Sequence, residues 1–210
     1  MELIWNSFRT RSPTPINAPY NPASRPRPTI SHNYRRVHGL LGRTTLASEI
    51  PITPSEFRNA WGRFATGVTI ITSSEPDGGT HGMTANGVLS VSLDPPLALV
   101  CVDKSRNTHR YINDDGWFGI SIVRKDQANI AMYYVRDVAD RTGDVEVPLE
   151  QRDEGPPVIA GALAAMSCKV VAAHDAGDHT IFVGEAVQLS TTDGDPLLYY
   201  TGKFGKIELD

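Results

Sequence analysis

The sequence is poor in cysteine, with two residues, Cys101 and Cys168, in a chain of 210. Each lies in a mainly apolar run, LALVCV for Cys101 and AMSCKV for Cys168. No C-x-x-C pair is present, so the usual zinc and dithiol redox motifs have no support. The pattern favours two buried thiols over a disulfide, and it predicts a reducing, cytoplasmic location for the protein.

Long hydrophobic runs are also lacking. The longest run, Leu97–Val102, is far shorter than the ~20 residues of a membrane-spanning helix, so we expect no membrane insertion. Positive charge is not in excess, because 20 Lys and Arg residues face 24 Asp and Glu residues and give a net charge of −4. Nucleic-acid-binding domains are usually basic, so we expect no nucleic-acid partner.

Several catalytic and nucleotide-binding motifs are missing as well. There is no G-x-G-x-x-G after a strand-like segment, no Walker A sequence and no G-x-S-x-G, which leaves a Rossmann dinucleotide site, a nucleoside triphosphatase and a serine hydrolase unsupported. His174 and His179 are five residues apart, which is a poor spacing for a helical metal pair, and we expect no metal site.

The first fifty residues differ in composition from the rest of the chain. Residues 1–50 hold seven arginines and no lysine, and Glu2 and Glu49 are their only acids. They also carry six prolines between Pro13 and Pro28, without sustained hydrophobic periodicity. We interpret residues 1–50 as a disordered or extended arm and residues 51–210 as the folded domain. An organelle transit peptide, an arm that wraps an oligomer and a nucleic-acid-binding arm are the alternatives.

The folded domain is expected to be mainly β. Thr53-Pro54-Ser55-Glu56 is a capping box that starts a helix, and the helical spacing of Phe57, Ala60, Trp61 and Phe64 predicts a stripe buried in the core. We predict two further short helices, at Asn107–Asn113 and Gln127–Tyr134, and a loop over residues 140–157. Strands are predicted at Gly67–Ser73, Thr80–Ala85, Gly87–Leu93, Leu97–Asp103, Trp117–Val123, Leu163–Ala172, Thr180–Ser190 and Leu197–Thr201. Many short strands with turn signals favour an antiparallel barrel.

Two stretches suit a flat ligand that carries a phosphate. The segment Gly82–Leu97 begins with small and hydroxyl residues, which let a planar ring approach the backbone closely, and Thr84 and Asn86 could hydrogen-bond its polar edge. In Cys101–His109 a strand ends and a helix begins, a place that favours anions. Its phosphate-binding candidates are Lys104, Ser105, Arg106, Asn107 and Thr108. The alternatives are an ordinary turn-rich sheet and a normal helix cap with solvated Lys and Arg.

Two further segments are less specific. In Asp175–Gly184 the pair Gly177-Asp178 suggests a turn, which would place His179 at the start of a strand, away from the deep core. The segment Leu197–Lys206 reads as a closing barrel strand followed by a flexible tail.

Taken together, these segments resemble the flavin reductase family, whose members supply reduced flavin to two-component monooxygenases. The resemblance extends from about Phe57 to Lys206. Its pieces, in order, are TGVTIIT, GMTANGVLSVSLDPPLALVCV, SRNTH, WFGISIV, GDHTIFVGEAV and PLLYYTGKF. The order of the pieces is specific, although no single piece is.

The resemblance implies a split antiparallel β-barrel that forms a homodimer and binds FMN or FAD near the subunit boundary. It implies reduction of the flavin by NADH or NADPH, and a separate monooxygenase as partner. His179 is the implied catalytic residue, which orients or polarises the nicotinamide. The implied cofactor-binding residues are His81, Gly82, Met83, Thr84, Asn86, Gly87, Cys101, Val102, Asp103, Ser105, Thr108, Tyr200 and Gly202.

Two positions depart from the family pattern. Gly87 stands where serine or another small residue is expected, and Tyr133-Tyr134 stands where a phenylalanine is common.

Two other functions of the same fold are open at this point: a flavin-binding electron carrier, and an oxidase that holds FMN permanently.

Overall fold

A computed structural model describes residues 51–205. The predicted arm, residues 1–50, lies outside the described residues. Within these residues the α-helices are α1 (Pro54–Trp61), α2 (Asn107–Asp115) and α3 (Ala128–Val135). The strands are β1 (Thr66–Gly67), β2 (Thr69–Ser74), β3 (Thr80–Ala85), β4 (Val88–Leu93), β5 (Pro96–Asp103), β6 (Trp117–Ile122), β7 (Leu149–Glu150), β8 (Val158–Ile159), β9 (Ala164–Ala176), β10 (His179–Thr191), β11 (Leu198–Tyr200) and β12 (Lys203–Gly205).

A seven-stranded antiparallel sheet in the order β3-β2-β6-β9-β10-β5-β4 forms the body of the domain. Strands β3 and β4 are its two edges, so the sheet is not closed by hydrogen bonds. The predicted mainly β, split-barrel fold is therefore confirmed.

The hydrophobic core lies on both faces of this sheet. In β2, Ile70 belongs to one buried cluster and its neighbour Ile71 to another, because successive side chains of a strand point to opposite faces. The first cluster includes Tyr134 of α3, and the second includes Val102 of β5 and Ile112 of α2. The two helices thus cover the sheet and fix the ends of β3 and β5, where the predicted binding residues lie.

The start of α1 agrees with the sequence, but its burial does not. The Thr53 hydroxyl accepts a hydrogen bond from the Glu56 N–H at 3.2 Å, and the Glu56 carboxylate accepts one from the Thr53 N–H at 2.8 Å, which forms the predicted capping box. Phe57 and Trp61 are each 59% exposed and Phe64 is 63% exposed, so the prediction of a core stripe is wrong. Helical spacing identifies an apolar face but not what lies against it.

The end of the described chain also differs from the prediction. Instead of closing the barrel, β11 pairs with β1 and with β12 in a separate three-stranded sheet. Strand β12 was not predicted, because the segment Gly202–Gly205 has the composition of a tail. The predicted loop at residues 140–157 contains β7, which pairs with β8 directly after that loop. Among residues 51–205, no helix combines the length and apolarity needed to cross a bilayer.

Candidate functional site

Two neighbouring cavities mark the candidate site. The first, here called the polar cavity, has a volume of about 530 Å³, and the second, the apolar cavity, has a volume of about 860 Å³. Thr84, Cys101 and Val135 line both of them, so the two cavities meet at these side chains. Together they provide one recess that is polar at one end and apolar at the other.

The polar cavity lies where β3, β5, β10 and α2 come together. His179 starts β10 and pairs in register with Asp103, the last residue of β5, so both face the beginning of α2. The wall on the other side comes from α3 and the segment after it. Its lining residues are His81, Met83, Thr84, Cys101, Asp103, Ser105, Arg106, Asn107, Thr108, Tyr134, Val135, Arg136, Asp137, Val138, Arg141 and His179. The two stretches singled out in the sequence, Gly82–Asn86 and Ser105–Thr108, thus converge on the same side of the molecule.

The turn between β5 and α2 is held by Asp103. One oxygen of its carboxylate accepts hydrogen bonds from the Ser105 hydroxyl and the Ser105 N–H, both at 2.7 Å. The hydroxyl bond, followed by the backbone bond, lowers the pKa of Asp103 below its ordinary value. The hydroxyl proton of Ser105 is therefore already used within the protein.

The two cationic side chains of this turn, Lys104 and Arg106, also have partners within the protein. Lys104 Nζ donates to the Gly177 carbonyl at 3.0 Å and lies 3.2 Å from the Asp175 carboxylate. Arg106 forms an ion pair with Asp137 at 3.0 Å. Each of these two cations therefore already has an anionic partner within the described residues.

Thr108 is a buried polar residue of this turn whose side chain has no partner within the described residues. Its hydroxyl is fully buried and makes no hydrogen bond within the described residues. Thr108 is the second residue of α2, whose N-cap residue, Arg106, provides no side-chain hydrogen bond to the helix. The first N–H groups of a helix have no partner inside the helix, so this end of α2 is suited to an anion.

The two histidines of the polar cavity have different surroundings. His81 is 6% exposed, and its Nδ1 lies 3.2 Å from Glu75 Oε1. Burial is the main cause that lowers the pKa of His81, which favours the neutral ring. His179 is partly exposed, and its Nδ1 lies 2.7 Å from Asp178 Oδ1, a hydrogen bond that lowers the pKa of Asp178.

The apolar cavity is formed by aromatic residues from both ends of the described chain. Trp61 and Phe64 come from α1 and the turn after it, and Tyr199 and Phe204 from β11 and β12. The amide N–H of Thr201 donates to the Gly62 carbonyl at 2.8 Å and ties these two parts together. The other lining residues are Arg58, Gly62, Thr66, Val68, Thr84, Ala85, Asn86, Gly87, Val88, Leu89, Leu99, Cys101, Met132, Val135 and Gly202.

Some residues singled out in the sequence do not line either cavity. Gly82 faces Tyr134, because a Cβ at this position would lie 2.4 Å from the Tyr134 ring. The Val102 side chain is buried in the core, and Tyr200 is exposed outside both cavities. His179 and Gly202, both expected on the nicotinamide side, lie in different cavities.

Thr84 and Gly87 have backbone partners that the sequence did not predict. The hydroxyl of Thr84 donates to the Ala131 carbonyl at 2.6 Å, so it can offer a ligand only its lone pairs. The carbonyl of Gly87 accepts from the Cys101 N–H at 2.9 Å, which holds the two chain segments side by side at the apolar cavity.

Sequence reasoning also missed residues that the structure brings into the recess. Trp61 and Phe64 carried a signal, their helical spacing, but this was interpreted as core. Arg141 carried none, because it lies in a polar stretch that reads as a loop. Tyr134 was noted only as a departure from the family pattern.

Comparison with known proteins gives a consistent result. Residues 61–208 match the family model described as the flavin reductase like domain. The chain is 43% identical over 163 residues to an NADH-dependent flavin reductase of a Rhodococcus species, which covers 75% of this chain and 89% of that protein. It is 41% identical over 155 residues to the reductase component of a 4-nitrophenol 4-monooxygenase/4-nitrocatechol 2-monooxygenase of Rhodococcus opacus, covering 74% and 82%.

Solved structures agree with these matches. The NADH:FAD oxidoreductase SgcE6 of Streptomyces globisporus, solved in complex with NAD and FAD fragments, superposes with a TM-score of 0.68 at 33% identity. The match covers 74% of this chain and 93% of that one.

Proposed function

The chain belongs to the flavin reductase-like family, and on this basis we propose that it reduces FMN or FAD with NADH. The observation that carries the proposal is the joined pair of cavities, polar at one end and lined by aromatic side chains at the other. A flavin nucleotide has the same division, with a charged phosphate at one end and a flat ring system at the other. Both cavity volumes are in the range of small-molecule sites.

The residues of the recess fit such a group. The partnerless hydroxyl of Thr108 and the uncapped start of α2 offer donors to a phosphate. Trp61, Phe64 and Phe204 offer aromatic surface to a ring system. The thiol of Cys101 lies at the junction of the two cavities, where burial raises its pKa and keeps it neutral.

When bound, a flavin supplies the hydride acceptor for the nicotinamide. The protein aligns the nicotinamide with the flavin and excludes water from the space between them. In our proposal the segments His81–Thr84 and Asn86–Gly87 lie along the ring and its side chain, and Ser105 and Thr108 adjoin the phosphate. His179 orients the nicotinamide. Gly82, within the first of these segments, and Val102 act through the backbone or through their neighbours, since their side-chain positions face the interior.

We also infer that the reduced flavin leaves for a separate monooxygenase. Support comes from the relative that is named as the reductase component of such an enzyme. A reductase that releases its product needs a recess open to solvent, and the side chains that form the aromatic wall, Trp61 and Phe64, are more than half exposed.

A homodimer is the assembly that we propose. Edge strand β4 presents Leu89, Val91 and Leu93 to solvent, with exposed fractions of 63%, 47% and 64%. Large apolar side chains grouped on one edge strand are typical of an interface. Light scattering during size-exclusion chromatography should give twice the chain mass of 22.9 kDa.

The cytoplasm is the proposed location, because Cys101 and Cys168 are both unpaired.

We propose further that residues 1–50 are an arm separate from a reductase domain at residues 51–210. Support comes from the family match, which begins at residue 61. Deletion of residues 1–50 should leave NADH oxidation unchanged, whereas loss of activity would make the arm part of the catalytic unit.

The deciding experiment is an NADH oxidation assay with FMN, FAD and riboflavin in parallel, on protein that has been dialysed extensively. A colourless protein that oxidises NADH catalytically when flavin is added is the expected result. A protein that remains yellow after dialysis would favour an oxidase with permanently held FMN. Flavin binding without turnover would favour an electron carrier and would contradict the proposal.

A further inference from the structure

Three arginines line the polar cavity, and they differ in their partners. Arg106 forms an ion pair with Asp137, and Arg136 forms one with Asp144 at 3.1 Å. Arg141 makes no salt bridge to any residue within 51–205. It is therefore the arginine of this cavity whose charge the described protein does not neutralise through an ion pair.

Arg141 is nevertheless held in place. Its Nε donates to the Arg136 carbonyl at 3.2 Å, and its Nη2 donates to the Tyr134 carbonyl at 3.4 Å. The guanidinium carbon lies 5.1 Å from the centre of the Tyr134 ring and 5.8 Å from that of Tyr133. Two of its five N–H groups are used in these bonds, which leaves three for a ligand.

The partly buried position of Arg141 has an energetic consequence. Burial is the main cause that lowers the pKa of its guanidinium, because the cation has lost part of its hydration. A guanidinium with unused donors in a recess gains most from an anion with several oxygens, and a phosphate matches its planar fork.

We propose that Arg141, which lines the polar cavity together with Thr108, binds the 5′-phosphate of the flavin. This assignment rests on the proposed function, whose substrate it describes in more detail. It gives the phosphate a cation in place of Lys104 and Arg106, which are engaged in ion pairs of their own. It also gives the enzyme a means of preferring FMN and FAD over riboflavin, which has no phosphate.

Tyr134 is a positioning residue in this assignment. Its ring fills the space beside Gly82 and lies against the guanidinium. The position of Arg141 therefore depends on residue 82 being a glycine, because a side chain there would displace the ring. The Tyr134 hydroxyl makes no hydrogen bond to another described side chain. Its aromatic ring is the part that acts on Arg141.

The test compares binding of FMN and riboflavin to full-length wild-type protein and to Arg141→Gln, measured by quenching of flavin fluorescence. Arg141→Gln should weaken FMN binding by about tenfold to a hundredfold, the usual worth of charge-assisted hydrogen bonds. Riboflavin binding should change by less than about twofold, because the lost contact has no counterpart on riboflavin.

Arg110→Gln is the matched control. Arg110 is exposed and lies 4.9 Å from the ring centre of Tyr111, outside both cavities, so the substitution removes the same charge and the same kind of aromatic contact. It should leave both dissociation constants unchanged. Tyr134→Phe should bind FMN as the wild type does, and Tyr134→Leu should lose FMN affinity while retaining riboflavin affinity.

The outcomes separate this assignment from the proposed function. Equal losses of FMN and riboflavin in Arg141→Gln, or no loss of either, would overturn the role of Arg141 even if the wild type oxidises NADH. A selective loss of FMN affinity without NADH oxidation by the wild type would keep the role of Arg141 and refute the reductase. A wild type that does not distinguish FMN from riboflavin, or binds neither, would overturn the assignment.

Discussion

The Tyr134 ring occupies the space that a side chain at Gly82 would need. A Cβ at Gly82 would lie 2.4 Å from Tyr134 Cε1 and 2.7 Å from Cζ, far inside van der Waals contact. The glycine in the edge strand is therefore explained by packing against α3, whereas the sequence suggested that it lets a flavin approach the backbone directly.

Gly82→Ala should therefore destabilise the protein and weaken FMN binding. Forcing a methyl group into a filled space costs about 1–3 kcal/mol, and the displaced Tyr134 ring would carry Arg141 with it. Urea unfolding and FMN titration measure the two effects. Gly67→Ala is the control, because no heavy atom lies within 4 Å of its Cβ position. Unaltered stability in Gly82→Ala would refute this account of the glycine.

Trp61→Ala should weaken the binding of FMN and riboflavin alike. Trp61 lines the apolar cavity, and its aromatic contact with the flavin ring should strengthen flavin binding by about threefold to tenfold. Its side chain is 59% exposed, so the folded chain should lose little stability. Phe57→Ala provides the comparison, since Phe57 is equally exposed on the same helix but does not line the cavity. If both variants bind riboflavin like the wild type, the ring does not occupy the apolar cavity.

His179→Ala should impair the use of NADH more than the binding of flavin. Loss of a single hydrogen-bonding contact to the nicotinamide would raise KM for NADH by about twofold to tenfold. The dissociation constant of FMN should stay nearly the same. His174→Ala on the exposed part of β9 serves as the reference variant, and stopped-flow reduction of FMN would identify the affected step. Equal losses of NADH use and FMN affinity would exclude the proposed role.

The stability of the fold should depend on the protonation of His81. Burial places the pKa of His81 below the value of about 6.5 for a histidine in the unfolded chain, so the unfolded state takes up the proton more readily. The stabilisation from neutral His81 is complete above that unfolded value and is lost as the pH falls through the folded pKa.

Melting temperatures measured between about pH 7.5 and pH 5 should therefore fall more steeply for the wild type than for His81→Gln. His174→Gln should follow the wild-type profile. Parallel profiles for the wild type and His81→Gln would show that another group causes the acid sensitivity.

Local signals in the sequence predicted much of the fold. Thr53 and Glu56 form the expected capping box, and β3 has the predicted bounds, Thr80–Ala85. These features depend on neighbours in the sequence or on strict alternation, so the sequence itself carries them.

Contacts between distant segments were harder to predict. The contacts of Lys104 with Gly177 and Asp175 depend on how the end of β5 meets the β9–β10 hairpin. Arg141 enters the recess because the segment after α3 turns back across it, and nothing in the residues around Arg141 indicates this path. The helical spacing of its apolar residues predicted the apolar face of α1, but it could not predict what that face contacts. The same spacing is expected whether the face meets the core, a ligand or a second subunit.

The hydrogen bond from the Thr201 N–H to the Gly62 carbonyl joins α1 to the β11–β12 hairpin, and both lie outside the seven-stranded sheet. Substitutions in α1 and in the β11–β12 hairpin can therefore change the shape and chemistry of the wall that faces the ring, without altering the residues that hold the seven-stranded sheet together. Homologues with the same body could in this way acquire different tolerances for flavin size, and substitutions at Trp61 or Phe204 are the first ones to try in redesigning that preference.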